Sequence, residues 1–145
     1  MSDPTSAEAK LQGLIDFNYD LNPEQALLDW EARGWTEDPG AQSDDAPLKY
    51  MALVFSWALR RGAVRITMDK DSSPNIIGDT SFEVPRAPSS YMARGLEILR
   101  EAAGMEGPAS KGSIFIEVKG RRVEVILQKD AGRHTITMPE SALLH

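Results

Sequence analysis

The sequence contains no cysteine, which excludes a disulfide framework, a thiol nucleophile and a thiolate zinc site. Histidine is nearly absent too. Of the two residues, His145 ends the chain, and His134 has no Ser, Asp or Glu partner at a recognisable spacing for a catalytic base. No Gly-x-Ser-x-Gly elbow occurs, and no apolar run approaches the ~20 residues that a membrane-spanning helix needs. The opening Met1-Ser-Asp-Pro-Thr-Ser lacks the basic and apolar regions of a signal peptide, so a cytoplasmic location is expected. These absences leave a non-enzymatic protein as the expectation, with no cofactor and no metal.

What is present suits one ordinary globular domain: 145 residues, 41% hydrophobic and 26% charged. The net charge of −6 is unevenly spread. Through Pro47 there are 11 acidic residues against Lys10 and Arg33, whereas the remainder carries 14 Lys and Arg against 11 acidic residues. Such asymmetry marks an acidic interaction arm, or a segment that folds back on its own basic domain. An acidic total argues against nucleic acid as a partner, since that binding rests on neutralising phosphates.

The strongest pattern runs from Tyr50 to Asp69. Leu48, Met51, Ala52, Phe55, Ala58 and Leu59 fall on one helical face, and Tyr50, Val54 and Trp57 form a second stripe. That predicts a helix buried on two sides, capped by Asp44 or Asp45 and stopped by Gly62. The period then changes to two, with Val64, Ile66 and Met68 alternating against Arg65 and Thr67. A polar turn over Asp69 to Pro74, a short strand at Asn75 to Ile77 and a return strand at Thr80 to Val84 follow. Ser89 or Ser90 starts a second long helix, with Met92, Leu96, Leu99 and Ala103 along one side. Three alternating strands close the chain, centred on Ile116, Val125 and Ile136, as an antiparallel meander. The fold class is therefore α+β, an antiparallel-rich sheet with helices on one face.

The N-terminal third reads differently. Two short helices are predicted, one from Ser6 to about Phe17 and one opening at Asn22-Pro23 and closing at Gly34. Neither is long enough to be stable alone. The division expected is a helical arm over 1–35, an acidic linker over 36–46 and an α+β domain over 47–145. Candidate partner-binding residues are Leu14, Phe17, Leu27 and Trp30 on the arm, with Arg60, Arg61 and Arg121 as the basic counterpart.

Two motif look-alikes fail on chemistry. The run from Asp69 places oxygen side chains as a calcium loop does, but Pro74 stands where glycine must turn and Thr80 where a bidentate glutamate must bind. Gly107-Pro-Ala-Ser-Lys-Gly112 has the glycine spacing of a phosphate loop, with its lysine before the second glycine and a strand following.

At Ala58-Leu-Arg-Arg-Gly-Ala-Val-Arg-Ile-Thr-Met-Asp69 the chain resembles the type II secretion and type IV pilus ATPases, whose regulatory domain carries "A-x-x-x-G-A-S-D-I-H-I-E". Tyr91 to Met105 is similar to that domain's "S-R-L-K-I-L-A-G-L-D" helix, and Lys111 to Gln128 to its "D-G-R-I-x-L-x-x-x-G-R-x-V-D-L-R-V-S" hairpin. The resemblance covers about Leu48 to Met138 and implies a PAS-like domain. The departures fall on the family's polar positions. Its Ser-Asp and His are Val64-Arg65 and Thr67 here, its "R-x-D-G" strand is Ile76-Ile-Gly-Asp79, and a second arginine is Ile126. Isoleucine offers none of the paired hydrogen bonds by which arginine holds phosphate. The resemblance thus implies a degenerate relative acting as an adaptor or regulator, docked onto another protein such as a secretion or pilus ATPase, with a homo-oligomer also compatible. The alternative is a small-ligand sensor, which an apolar pocket between helix and sheet would favour.

Overall fold

Sixteen residues from Asp45 to Arg60 form a helix in which every side chain from Ala46 to Leu59 except Lys49 is buried. A helix apolar all round must be covered all round, and the rest of the chain does this. The computed structural model describes residues 7–37, 44–105, 110–118 and 120–138. Their order is α1 (Ala7–Tyr19), α2 (Pro23–Ala32), α3 (Asp45–Arg60), β1 (Arg65–Asp69), β2 (Ser72–Ile77), β3 (Ser81–Glu83), α4 (Ser89–Ala102), β4 (Lys111–Val118), β5 (Arg121–Asp130) and β6 (Arg133–Thr137).

Helix α3 stops as its sequence predicts. Gly62 takes φ 68°, and the Ala63 N–H reaches back to the Ala58 carbonyl at 3.0 Å, the hydrogen bond that closes a left-handed helix end. Its start differs from expectation. Asp44 makes no side-chain cap; its two carboxylate oxygens instead accept from Arg94 Nε at 2.8 Å and Nη2 at 2.9 Å. Two charge-assisted bonds in a matched fork outweigh the single neutral bond of a cap, and the pair ties the head of α3 to α4.

The strands form one six-stranded sheet in the order β3-β2-β1-β6-β5-β4, antiparallel at every pairing. The fold class is α+β. The meander of β4, β5 and β6 folds back so that β6 lies beside β1, which joins the two halves of the chain in the middle of the sheet. Register places Ile76, Ile66, Ile136 and Leu127 in one row, all of them buried. Helices cover this face. The opposite face carries Arg65, Thr67, Thr135, Thr137 and Gln128, the polar half of the alternation.

The row ends at Gly112, opposite Leu127, where α4 runs out over β4. A Cβ there would press into the backbone carbonyl of Ala103 and the Met105 side chain. Backbone cannot step aside as a side-chain tip does, so Gly112→Ala should destabilise by about 1–3 kcal/mol. Urea denaturation of the variant checks this; an unchanged midpoint would mean that α4 does not sit on β4 as described.

The division into arm, linker and domain is not what the fold displays. Leu11 and Ile15 of α1 and Leu27 and Trp30 of α2 belong to the same buried cluster as α3 and the sheet. Further contacts fix these helices. The Gln12 amide pairs with the edge of the sheet, accepting from the Glu117 N–H at 2.6 Å and donating to the Glu117 carbonyl at 3.0 Å, as a neighbouring strand would. Trp30, Trp35, Tyr50 and Tyr91 form a chain of rings with centroids 5.2 to 5.9 Å apart. Trp35 is held there at φ 60°, its carbonyl accepting from the Tyr91 hydroxyl at 2.9 Å, while the Trp30 indole N–H donates to the Thr36 carbonyl at 2.8 Å. The stretch expected to be a linker therefore begins with an anchor, and its last residues open α3. Short helices lacking internal stability gain it by docking, and here they dock on their own chain.

Candidate functional site

The predicted partner-binding residues do not form one face. Leu27 and Trp30 are core residues and Leu14 is packed against the core, which corrects their placement on a docking surface. Phe17 is 70% exposed. Arg61 pairs with Glu24 at 2.9 Å and lies over the Phe82 ring, and Arg60 Nη1 approaches the Leu21 carbonyl at 3.5 Å. Arg61 thus meets the acidic start of α2 and Arg60 the turn before it, the fold-back that charge asymmetry allowed. The Arg121 side chain lies outside the described residues.

Around Phe17 the structure adds residues that periodicity did not single out. Leu21, in the turn from α1 to α2, is 50% exposed and Leu28, on α2, 40%, so three large apolar side chains of this N-terminal stretch stand in water. Asp16, Asp20 and Asp29 flank them in sequence. Val64 and Phe115 are also exposed, with the Arg122 guanidinium stacked 4.4 Å from the Phe115 ring centre.

A second region lies along α4. A cleft of about 720 Å³ opens between Ala93, Leu96, Glu97 and Arg100 of α4 and the turns that join β1 to β2 and β5 to β6. It is charged, and it is not the apolar pocket between helix and sheet that a sensor reading asks for; Ile66, Leu99 and Ile136 occupy that interior. The run read as a calcium-loop look-alike forms one wall. Asp69 accepts from the Asp71 N–H at 2.8 Å and the Ser72 hydroxyl at 2.9 Å, and these bonds hold its carboxyl below the usual range. Among the described residues no three metal-ligating side chains gather. Residues 107–109 of the phosphate-loop look-alike lie outside the described residues, and Lys111 and Gly112 open β4.

His134 lines the same cleft, only 2% exposed. Its Nε2 lies 2.8 Å from Arg100 Nη1. Arginine can only donate, so Nε2 accepts and the ring proton sits on Nδ1, which is buried without a hydrogen-bond partner among the described residues. Burial first, then the charges of Arg100 on α4 and Lys129 on β5, push the imidazole down to about 4, against weaker opposing pulls from the Gly132 carbonyl and Asp69 on β1.

The consequence for stability has a definite sign. The unfolded imidazole takes a proton near 6.5 and the folded one refuses it until about 4, so stability is lost as pH falls through that window. The expected loss is about 2 kcal/mol between pH 7 and pH 5, removed in His134→Leu. Urea titrations of both proteins at the two pH values measure it; equal losses would show that other groups carry the pH dependence.

Comparison with protein-family models and with curated proteins returns no match to this chain. Among the described residues no helix is long and apolar enough to cross a membrane.

Proposed function

We propose that the chain is a non-enzymatic adaptor or regulator that docks onto another protein through the turn between α1 and α2. One observation supports this reading above others. Phe17 on α1, Leu28 on α2 and Leu21 between them stay in water, whereas the core takes up Leu11, Ile15, Leu27 and Trp30 of the same two helices. Large apolar side chains left exposed within one short stretch and interleaved with charge suit a protein contact. The flanking aspartates suit a partner with a basic rim. The resemblance to the regulatory domain of secretion and type IV pilus ATPases makes such an ATPase the first partner to try.

The test is co-purification from the native cell with cross-linking, using the parent chain and Phe17→Asp. The reading expects one dominant partner, cross-linked near α1 and α2 and lost in the variant. Equal recovery with both baits would place the contact elsewhere. Because Phe17 is exposed, its substitution leaves the core intact.

A further inference from the structure

We propose that the cleft between α4 and the two turns binds a small oxyanion, the carboxylate or phosphate head of an organic molecule. Its walls carry four cations, Lys70, Arg100, Lys129 and Arg133, against Asp69, Asp71 and Glu97. Two of those carboxylates are already engaged. Asp69 spends its oxygens on its own turn, and Glu97 is held by Arg94. The cations are not so matched. Among the described residues Arg100 makes one hydrogen bond, to a neutral imidazole, leaving four of its five donors for another acceptor. Lys70, Lys129 and Arg133 form no side-chain ion pair among the described residues.

Four cations against three carboxylates leave the cleft with an excess of positive charge, and an oxyanion offsets it while accepting from Arg100 in the geometry guanidinium favours. His134 acts behind Arg100 as a positioning residue: a neutral, buried ring whose Nε2 fixes one end of the guanidinium. Ala93 and Leu96 supply an apolar wall for the rest of the ligand, and about 720 Å³ is the size of site that takes a small organic molecule. This goes beyond the docking reading and uses different residues, so either can fail alone.

The test is a titration of the full chain with inorganic phosphate and, separately, malonate, followed by backbone amide shifts. At least one should bind saturably, with Kd below about 5 mM, shifting the amides of Lys70, Ala131 and Gly132. Saturation with phosphate alone assigns a phosphate head, and with malonate alone a carboxylate head. Lys129 and Arg133 are exposed, so the double variant Lys129→Gln, Arg133→Gln should fold and bind at least about tenfold more weakly. Arg65→Gln, on the outer face of the sheet, and Phe17→Asp should bind as the parent does. No saturation with either anion, or parent-like binding by the double variant, overturns the proposal.

Discussion

Deleting residues 1 to 40 should leave an insoluble or molten remainder. Leu11, Ile15, Leu27 and Trp30 are each at most 2% exposed, and burying one such side chain contributes about 1.5–3 kcal/mol. Together they supply about 6–12 kcal/mol, comparable to the entire stability of a domain, about 5–15 kcal/mol. The deletion also bares the face of α3 that α1 and α2 cover, and leaves the Glu117 backbone on the sheet edge without Gln12. Near-ultraviolet circular dichroism and a thermal melt of the truncated chain read the outcome. The expected result is secondary structure without fixed tertiary packing. A folded remainder melting close to the parent would restore the two helices to the role of a separable arm.

Phe55→Ala should cost about 3–5 kcal/mol. Phe55 is fully buried in the helix that every other helix touches. Its ring fills space that no neighbour can close, because α3 is held at its head by Asp44 and Arg94 and at its end by the Gly62 stop. Removing the ring therefore loses both its burial and its packing contacts. Urea unfolding at neutral pH gives the number. A variant melting within a degree or two of the parent would mean that α3 is not the organising element.

Local pattern carried much of this fold into view. The two stripes of α3, its glycine stop and the alternation in β4, β5 and β6 are short-range signals, and each is found where the periodicity puts it. Non-local features were not legible. Nothing in the spacing says that β6 returns to β1, or that Gln12 closes the sheet edge at Glu117. Asp44 reads as a cap because a cap is the local use of an aspartate; Arg94, which claims it, is 50 residues away. Likewise Ser72 to Pro74 reads as turn because proline breaks ladders. Yet Pro74 falls within the irregular stretch of the pairing between β1 and β2, where the ladder needs no N–H from it. Trp30 and Leu27 look like bait on a short helix until their long-range partners Tyr91 and α3 are known.

The cleft illustrates the same limit. Lys70, Arg100, Lys129 and Arg133 come from three separate segments, and only the pairing of β1 with β6 brings the two turns together beside α4. Read in sequence, each is a solvated charge. His134 was visible as a strand histidine, but its burial, which chiefly keeps the ring neutral, and its contact with Arg100 were not.

The docking claim is tested most directly by titrating the full chain into a purified secretion or pilus ATPase from the same cell, with Phe17→Asp alongside. Saturable binding with Kd below about 10 µM is expected, and at least about 30-fold weaker binding for the variant, the loss that follows when a central apolar anchor is replaced by a charge. Binding that Phe17→Asp leaves unchanged, or no binding by the parent at all, would contradict it.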